Sequence, residues 1–216
     1  MRIKKYVSGA LVLGLVFVNS SILSFANEVQ QVESQSDEAI IQKQLDGFEE
    51  IDQELRENGV ESTDKDPNIE RATSGTYPTR IGAILVTKDG KFGKLIGHAG
   101  IVHTATTTVE SFPEGGVKVY NNNWRDRYNS VYGLGVRKTT TAQDKTASTW
   151  AYNKRTLPYN WVIEQPELTN AFYCSQLVYK AYKSTAGVNL NYEGGAVFPY
   201  DLVKTGETYT SYTKNV

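Results

Sequence analysis

The sequence predicts an α+β domain, an antiparallel sheet packed against helices, on three observations. Short β-branched runs separated by Gly/Asp turns fill residues 81–136, two helix-period segments follow them, and an acidic amphipathic segment precedes them. Ile81–Thr87 is an apolar run closed by a turn over Lys88–Lys91. Gly97–His103 and Thr107–Phe112 come next, then the turn Pro113–Gly116 and the strands Val117–Tyr120 and Val131–Val136. Sequential strands at this spacing indicate an antiparallel meander. Ala142–Arg155 reads as one helix and Tyr173–Ser184 as another, ending near Gly187.

The chain has 216 residues and a net charge of −1, which hides an asymmetry. Residues 27–72 carry 14 acidic and 4 basic side chains, whereas residues 73–216 carry 10 and 16. Ile40, Ile41, Gln44, Leu45, Phe48, Ile51, Gln53 and Leu55 form a helical stripe over residues 37–57, with Asp37 as N-cap and Asn58-Gly59 as stop. Such a helix needs a surface to cover its stripe, either on the domain or on a partner. Its surplus carboxylates are read as mainly solvated, and Val60–Ala72 as a linker. If the helix lay across a substrate groove, deleting residues 27–72 would raise activity.

Arg2, Lys4 and Lys5 precede an apolar run over Val7–Val18, and Ser24-x-Ala26 makes a small-x-small cleavage site. Residues 1–26 are therefore expected to be a signal peptide, and the mature protein to be secreted or held at the cell surface without an integral membrane segment. Residues 27–72 form the acidic arm and linker, and residues 73–216 the domain.

Cys174 is the single cysteine, in Phe172-Tyr173-Cys174-Ser175-Gln176-Leu177 at the predicted start of a helix. An unpaired thiol in an exported chain is either inert packing or kept for its reactivity. A nucleophilic cysteine needs a base, and the base needs a group to orient it. The two histidines, His98 and His103, are five residues apart and point to opposite faces of one strand, so at most one joins a shared site. A three-residue loop, His103-Thr104-Ala105, would pair Val102 with Thr106 and set His98 directly opposite Glu110. A two-residue loop would instead put Ser111 opposite His98. The expected site is Cys174 as nucleophile, His98 as base and later acid, and Glu110 as orienting carboxylate. A helix N-terminus and a neighbouring imidazolium would both favour the thiolate.

The ordered set Gly97-His98-Ala99-Gly100-Ile101-Val102, Val109-Glu110 and Tyr173-Cys174-Ser175-Gln176-Leu177-Val178-Tyr179 resembles the circularly permuted papain-like branch of the NlpC/P60 superfamily, the YiiX/YaeF-like hydrolases. The resemblance spans roughly residues 76–205. The histidine precedes the cysteine there, as in the related lecithin:retinol acyltransferase-like proteins. It implies a permuted papain-like fold and the same three site residues. Through Leu157-Pro158-Tyr159-Asn160-Trp161 it also implies Tyr159 as an oxyanion or substrate-positioning hydroxyl. Pro199-Tyr200-Asp201-Leu202 matches a late structural segment. Two departures stand out: Tyr173-Cys174-Ser175-Gln176 replaces the Asp-Cys-Ser-Gly common in ordinary members, and Gly82-Ala83-Ile84 lacks the aspartate of Gly-Asp-Ile.

Other chemistries fit the residues less well. Two histidines on opposite strand faces do not make a zinc site, and no cofactor or metal is expected. No glycine loop for phosphate follows a strand. Dispersed basic residues argue against nucleic acid as a partner. Asn121-Asn122-Asn123-Trp124 reads either as a turn or as a groove edge. The expected activity is hydrolysis of an amide bond through a thioester acyl-enzyme. The resemblance points to a cell-wall peptide or an N-acyl amine as substrate. Acyl transfer, or a binding module with a packed cysteine, are the alternative readings.

Overall fold

The computed structural model describes residues 17–59 and 73–216, with side chains from residue 35 onward. The first 16 residues of the expected signal peptide and the expected linker Val60–Ala72 lie outside the described residues. The described residues fall into two units, one up to Ile40 and one from Ile41. Helix α1 (Phe17–Asn58) supplies the described part of the first unit and, from Ile41, the first element of the second. Asp37 is not its N-cap, because the helix runs through it, but Gly59 with φ 73° does follow its last residue. No helix among the described residues is long and apolar enough to cross a membrane.

The second unit is an α+β body around one seven-stranded antiparallel sheet. In chain order the strands are β1 (Thr73–Gly75), β2 (Ile84–Phe92), β3 (Leu95–Thr104), β4 (Thr107–Phe112), β5 (Gly116–Asn121), β6 (Val131–Val136) and β7 (Thr208–Lys214). They lie in the order β1-β7-β6-β2-β3-β4-β5. The meander therefore holds only from β2 to β5; β6 returns to the free edge of β2, and β7 pairs with β6. Alternate strand residues bury Ile84, Val86, Ile101 and Val109 on one face and Leu85, Val102 and Val131 on the other. The latter three pack with Ala83, Trp124 and Tyr212.

Helices α2 (Trp124–Arg127), α3 (Thr141–Tyr152), α4 (Cys174–Ala186) and α5 (Pro199–Lys204) complete the body. Thr140 and Gln143 form a reciprocal capping box that starts α3. Tyr173 precedes α4, and Gly187, in the left-handed region at φ 69°, ends it as expected. Ordered contacts join α4 to α3, β3 and β4, so the helix that begins with Cys174 lies against the strands that carry His98 and Glu110.

The α1 segment from Ile41 docks on this body through its stripe. Phe48 and Ile51 are buried, and Phe48 stacks on Tyr132 with ring centroids 5.8 Å apart. Gln44 is fully buried; its Nε2 donates to the Lys94 carbonyl at 2.7 Å, and its Oε1 accepts from Ile96 N–H at 2.9 Å. Asp52 is buried too, accepting from Tyr132 Oη at 2.5 Å and pairing with Lys88. Glu50 and Lys43 make further ion pairs with Lys204 and Glu193. These charges are partnered rather than merely solvated, which corrects the reading of the acidic run for this segment.

Two strand expectations are corrected. β2 continues past Thr87 to Phe92 with a register irregularity, and the β2–β3 turn falls at Gly93-Lys94 rather than at Lys88–Lys91. In the β3–β4 hairpin Val102 pairs with Thr108 and Gly100 with Glu110, two residues from the expected register. The chain uses a two-residue turn, Ala105-Thr106, and absorbs one extra residue as an irregularity between Val102 and Thr104.

Candidate active site

β3 carries His98 and β4 carries Glu110. Because the register differs from the expected one by two residues, an even number, face parity is preserved and both side chains stay on the same side of the sheet. His98 Nε2 lies 3.0 Å from Glu110 Oε2, a diagonal rather than a direct cross-strand pair. Gly100, directly opposite Glu110, makes that diagonal possible. A Cβ there would lie 2.8 Å from Glu110 Cγ and 2.9 Å from the Trp124 ring. Gly97, at φ 82°, sits beside His98, where a Cβ would come within 2.1 Å of the Thr87 carbonyl oxygen.

The His98 ring stacks on Phe112, with centroids 4.0 Å apart, and on Trp124 at 5.5 Å. Both His98 and Glu110 are buried. Glu110 Oε2 serves His98, while Oε1 accepts from Trp124 Nε1 at 2.9 Å, Thr108 Oγ1 at 2.5 Å and Arg127 at 2.5 Å. With Nε2 held by the carboxylate, Nδ1 is the ring nitrogen left for the thiol.

Cys174 opens α4 and is 1 % exposed. Burial alone would push its thiol pKa up. The His98 imidazole outweighs that, helped by the N–H groups of Ala99 and Ser175, and brings the thiol below its ordinary range. Burial likewise disfavours the imidazolium, but its interactions with Cys174 and then Glu110 prevail, and His98 is pushed up to about 9. For Glu110 burial is opposed by His98 and Arg127, and its carboxyl is held below the usual range. Arg127, Glu110, His98 and Cys174 thus follow one another as alternating potential cation and anion, and each shift favours the charged form of its group.

Tyr159 lies on the loop before α4 and is 8 % exposed. Its hydroxyl is buried and has no hydrogen-bond partner among the described residues. Burial, with the Cys174 thiolate nearby, keeps this phenol strongly protonated. Gln176 holds the loop in place. Its Oε1 accepts from Asn160 Nδ2 and Tyr173 N–H, and its Nε2 donates to the carbonyls of Gln165, Pro166 and Leu168. Phe172 N–H adds a bond to the Pro158 carbonyl at 3.1 Å.

His103 is separate from this cluster. It bonds Ser148 Oγ on α3 and stacks on Tyr152, as opposite strand faces require. Asp201 accepts from Phe198 N–H at the start of its own helix, a structural role. The Asn121–Trp124 segment leads into α2, whose Trp124 is buried against the site. From the sequence alone Trp124 reads only as a turn or groove edge and Thr108 only as a strand residue, and Arg127 has no place in that reading. Strand alternation alone puts Thr108 on Glu110's side, whereas nothing local brings α2 over the strands.

No family model matches the chain. It is 31% identical over 122 residues to the uncharacterized protein YycO of Bacillus subtilis (strain 168). The match covers 54% of this chain and 49% of the relative, so the chain spans about half the length of that curated protein. Among solved structures, the crystal structure of metalloprotein YiiX (DUF1105) from Escherichia coli O157:H7 superposes with a TM-score of 0.52. That match covers 61% of this chain and 96% of YiiX at 16% identity. The chain shares the YiiX fold. At that identity the YiiX likeness bears on the fold alone, and the residues around Cys174 must supply the chemistry.

Proposed function

We propose that this protein is a secreted or cell-surface cysteine hydrolase of the circularly permuted papain-like NlpC/P60 branch, cleaving an amide bond through a thioester. The observation that carries the reading is the pairing of Cys174 with His98 at the first turn of α4, with Glu110 on the far ring nitrogen. An inert core thiol would be equally buried, but it would have no reason to face an imidazole held by a carboxylate.

The chemistry follows from that pairing. The Cys174 thiolate attacks the substrate carbonyl, and the carbonyl oxygen gains the charge. The Tyr159 hydroxyl, buried and without a partner among the described residues, is the candidate donor to that oxygen. The tetrahedral species collapses as imidazolium His98 gives its proton to the leaving amine, and a thioester remains. His98 then takes a proton from water, hydroxide adds to the thioester, and the thiol leaves as thiolate with the acid released. A peptide of the cell wall or an N-acyl amine fits this chemistry. The basic, apolar and small-x-small order of residues 1–26 supports export.

YiiX is described as a metalloprotein, but the residues here do not fit a metal. Among the described residues no three His, Cys, Asp or Glu side chains group to hold an ion. Both Glu110 oxygens are also already occupied by donors.

The test is to trap the acyl-enzyme from a panel of cell-wall peptides and N-acyl amines and weigh the intact protein. An added acyl mass on the unsubstituted chain, absent from Cys174→Ser, is expected. No adduct and no turnover across the panel, with Cys174 unreactive to acyl-thioester donors as well, would remove the reading.

A further inference from the structure

Arg127 binds Glu110 from the side away from the catalytic ring. Its NH2 group donates to Oε1 at 2.5 Å, and its guanidinium lies over the rings of Tyr128, Trp124 and Tyr120 at 5.2, 5.5 and 5.9 Å. Its Nε is buried and donates to nothing among the described residues. The guanidinium is thus held by three aromatic rings and one carboxylate, with only part of its donor capacity used.

The charge order explains why such a cation is needed. Glu110 and the Cys174 thiolate sit on opposite edges of one imidazole, so an uncompensated carboxylate would raise His98 but also repel the thiolate. A neutral amide in the orienting position would avoid the repulsion. An arginine on the carboxylate achieves the same end while keeping a strong acceptor for the ring. We infer that Arg127 is a positioning residue that neutralises Glu110, so that the carboxylate orients His98 without working against the Cys174 thiolate. The inference rests on the nucleophile reading of Cys174.

Other groups face the site and must be separated from Arg127. Tyr128, Tyr159 and Tyr173 surround Cys174, and Tyr120 and Tyr128 stand near Glu110. All are phenols raised above their ordinary range and neutral through the relevant pH span. Lys118 is directly opposite Glu110 in register, but it is exposed and reaches toward Gly115. Besides His98 itself, Arg127 is the cationic side chain bonded to the carboxylate among the described residues.

The experiment titrates the thiolate directly by its absorbance near 240 nm, with Cys174→Ser subtracted, and needs no substrate. Arg127→Gln keeps an N–H donor and removes the charge. It should move the thiolate midpoint up by about one pH unit. Arg127→Lys should hold most of the original midpoint. The decisive variant is Arg127→Gln combined with Glu110→Gln, which removes both charges and should bring the midpoint back toward that of the unsubstituted protein. A purely structural role for Arg127 would not give that recovery. If Arg127→Gln unfolds, the Lys variant and the double variant carry the comparison. A lowered midpoint that Arg127→Gln leaves in place, or a double variant as shifted as the single, overturns the inference alone. An ordinary thiol midpoint in the unsubstituted protein overturns the nucleophile reading, and this inference with it.

Discussion

His98 and Glu110 stand two residues out of direct register on neighbouring strands, yet their side chains meet at 3.0 Å. The diagonal works because Gly100 leaves room beside Glu110 and because Phe112 and Trp124 clamp the imidazole plane. If Glu110 orients His98 as proposed, removing the bond should cost rate more than fold. Glu110→Gln should retain the contact and lower kcat modestly, whereas His98→Ala should abolish turnover. Steady-state kinetics on a substrate found by acyl trapping, with circular dichroism as the check on folding, separates these. Turnover that survives His98→Ala would remove the mechanism.

The pH dependence should have two edges with different owners. Cys174 is held below its ordinary thiol range and His98 is raised to about 9, and both shifts favour a thiolate–imidazolium pair. Alkylation by iodoacetamide should therefore be fast at mildly acidic pH and should persist above pH 9, because the thiolate remains after His98 loses its proton. Turnover needs the imidazolium to protonate the leaving amine and should fall above about pH 9. Parallel decline of both rates at high pH would contradict this assignment.

Tyr159→Phe isolates a buried hydroxyl with no hydrogen-bond partner among the described residues. Stability should be unchanged or slightly higher, since an unpaired buried polar atom is removed. If that hydroxyl serves the oxyanion, kcat should drop by roughly 10²-fold with little change in KM. A thermal melt and a kcat/KM split read both effects, and unchanged kcat would reduce Tyr159 to a packing residue.

The α1 segment from Ile41 is integral to the body rather than a removable cover. Phe48 is buried between Tyr132 and Tyr200, and Gln44 satisfies two backbone groups at the β2–β3 turn. Phe48→Ala should cost about 3–5 kcal/mol in denaturant unfolding. Deleting residues 27–72 should destabilise the domain rather than raise its activity, and a stable, more active truncation would overturn this.

Asp201 should make stability depend on pH in an unusual direction. Burial pushes its carboxyl up to about 7, against an ordinary value of 3.8, despite the bond from Phe198 N–H. A folded-state value above the unfolded one means that its protonated form is favoured by folding, and stability is lost as pH rises from about 4 toward 7. Asp201→Asn keeps an acceptor for Phe198 and should stabilise the protein at pH 8, on the order of 1–3 kcal/mol, with little effect at pH 4. Thermal melts at the two pH values test it, and equal effects at both would refute the burial argument.

Some of this site was legible before any tertiary contact was known. Strand alternation separates His98 from His103, the helix-start pattern puts Cys174 on the first turn of α4, and an even register offset leaves Glu110 on the His98 face whichever residue lies directly opposite. The helical stripe of residues 37–57 likewise marks Phe48 and Ile51 as a face that must be covered. β7 leaves little mark in the sequence, because a run of Thr, Tyr and Ser carries little apolar alternation, and it is a strand through its pairing with β6 and β1. The β3–β4 register depended on an irregularity at one residue, which no glycine announces.

The sequence by itself determined the residue types, their order and their faces: one thiol, one strand imidazole and one carboxylate of matching parity. Only the tertiary structure decided that α4 meets β3 at Cys174, that α2 lays Arg127 and Trp124 on Glu110, and that the buried Tyr159 hydroxyl has no partner among the described residues. Periodicity follows from local backbone geometry and is written along the chain. Partners across 14 to 76 residues are chosen by packing and charge compensation in the folded body, and no local rule encodes them.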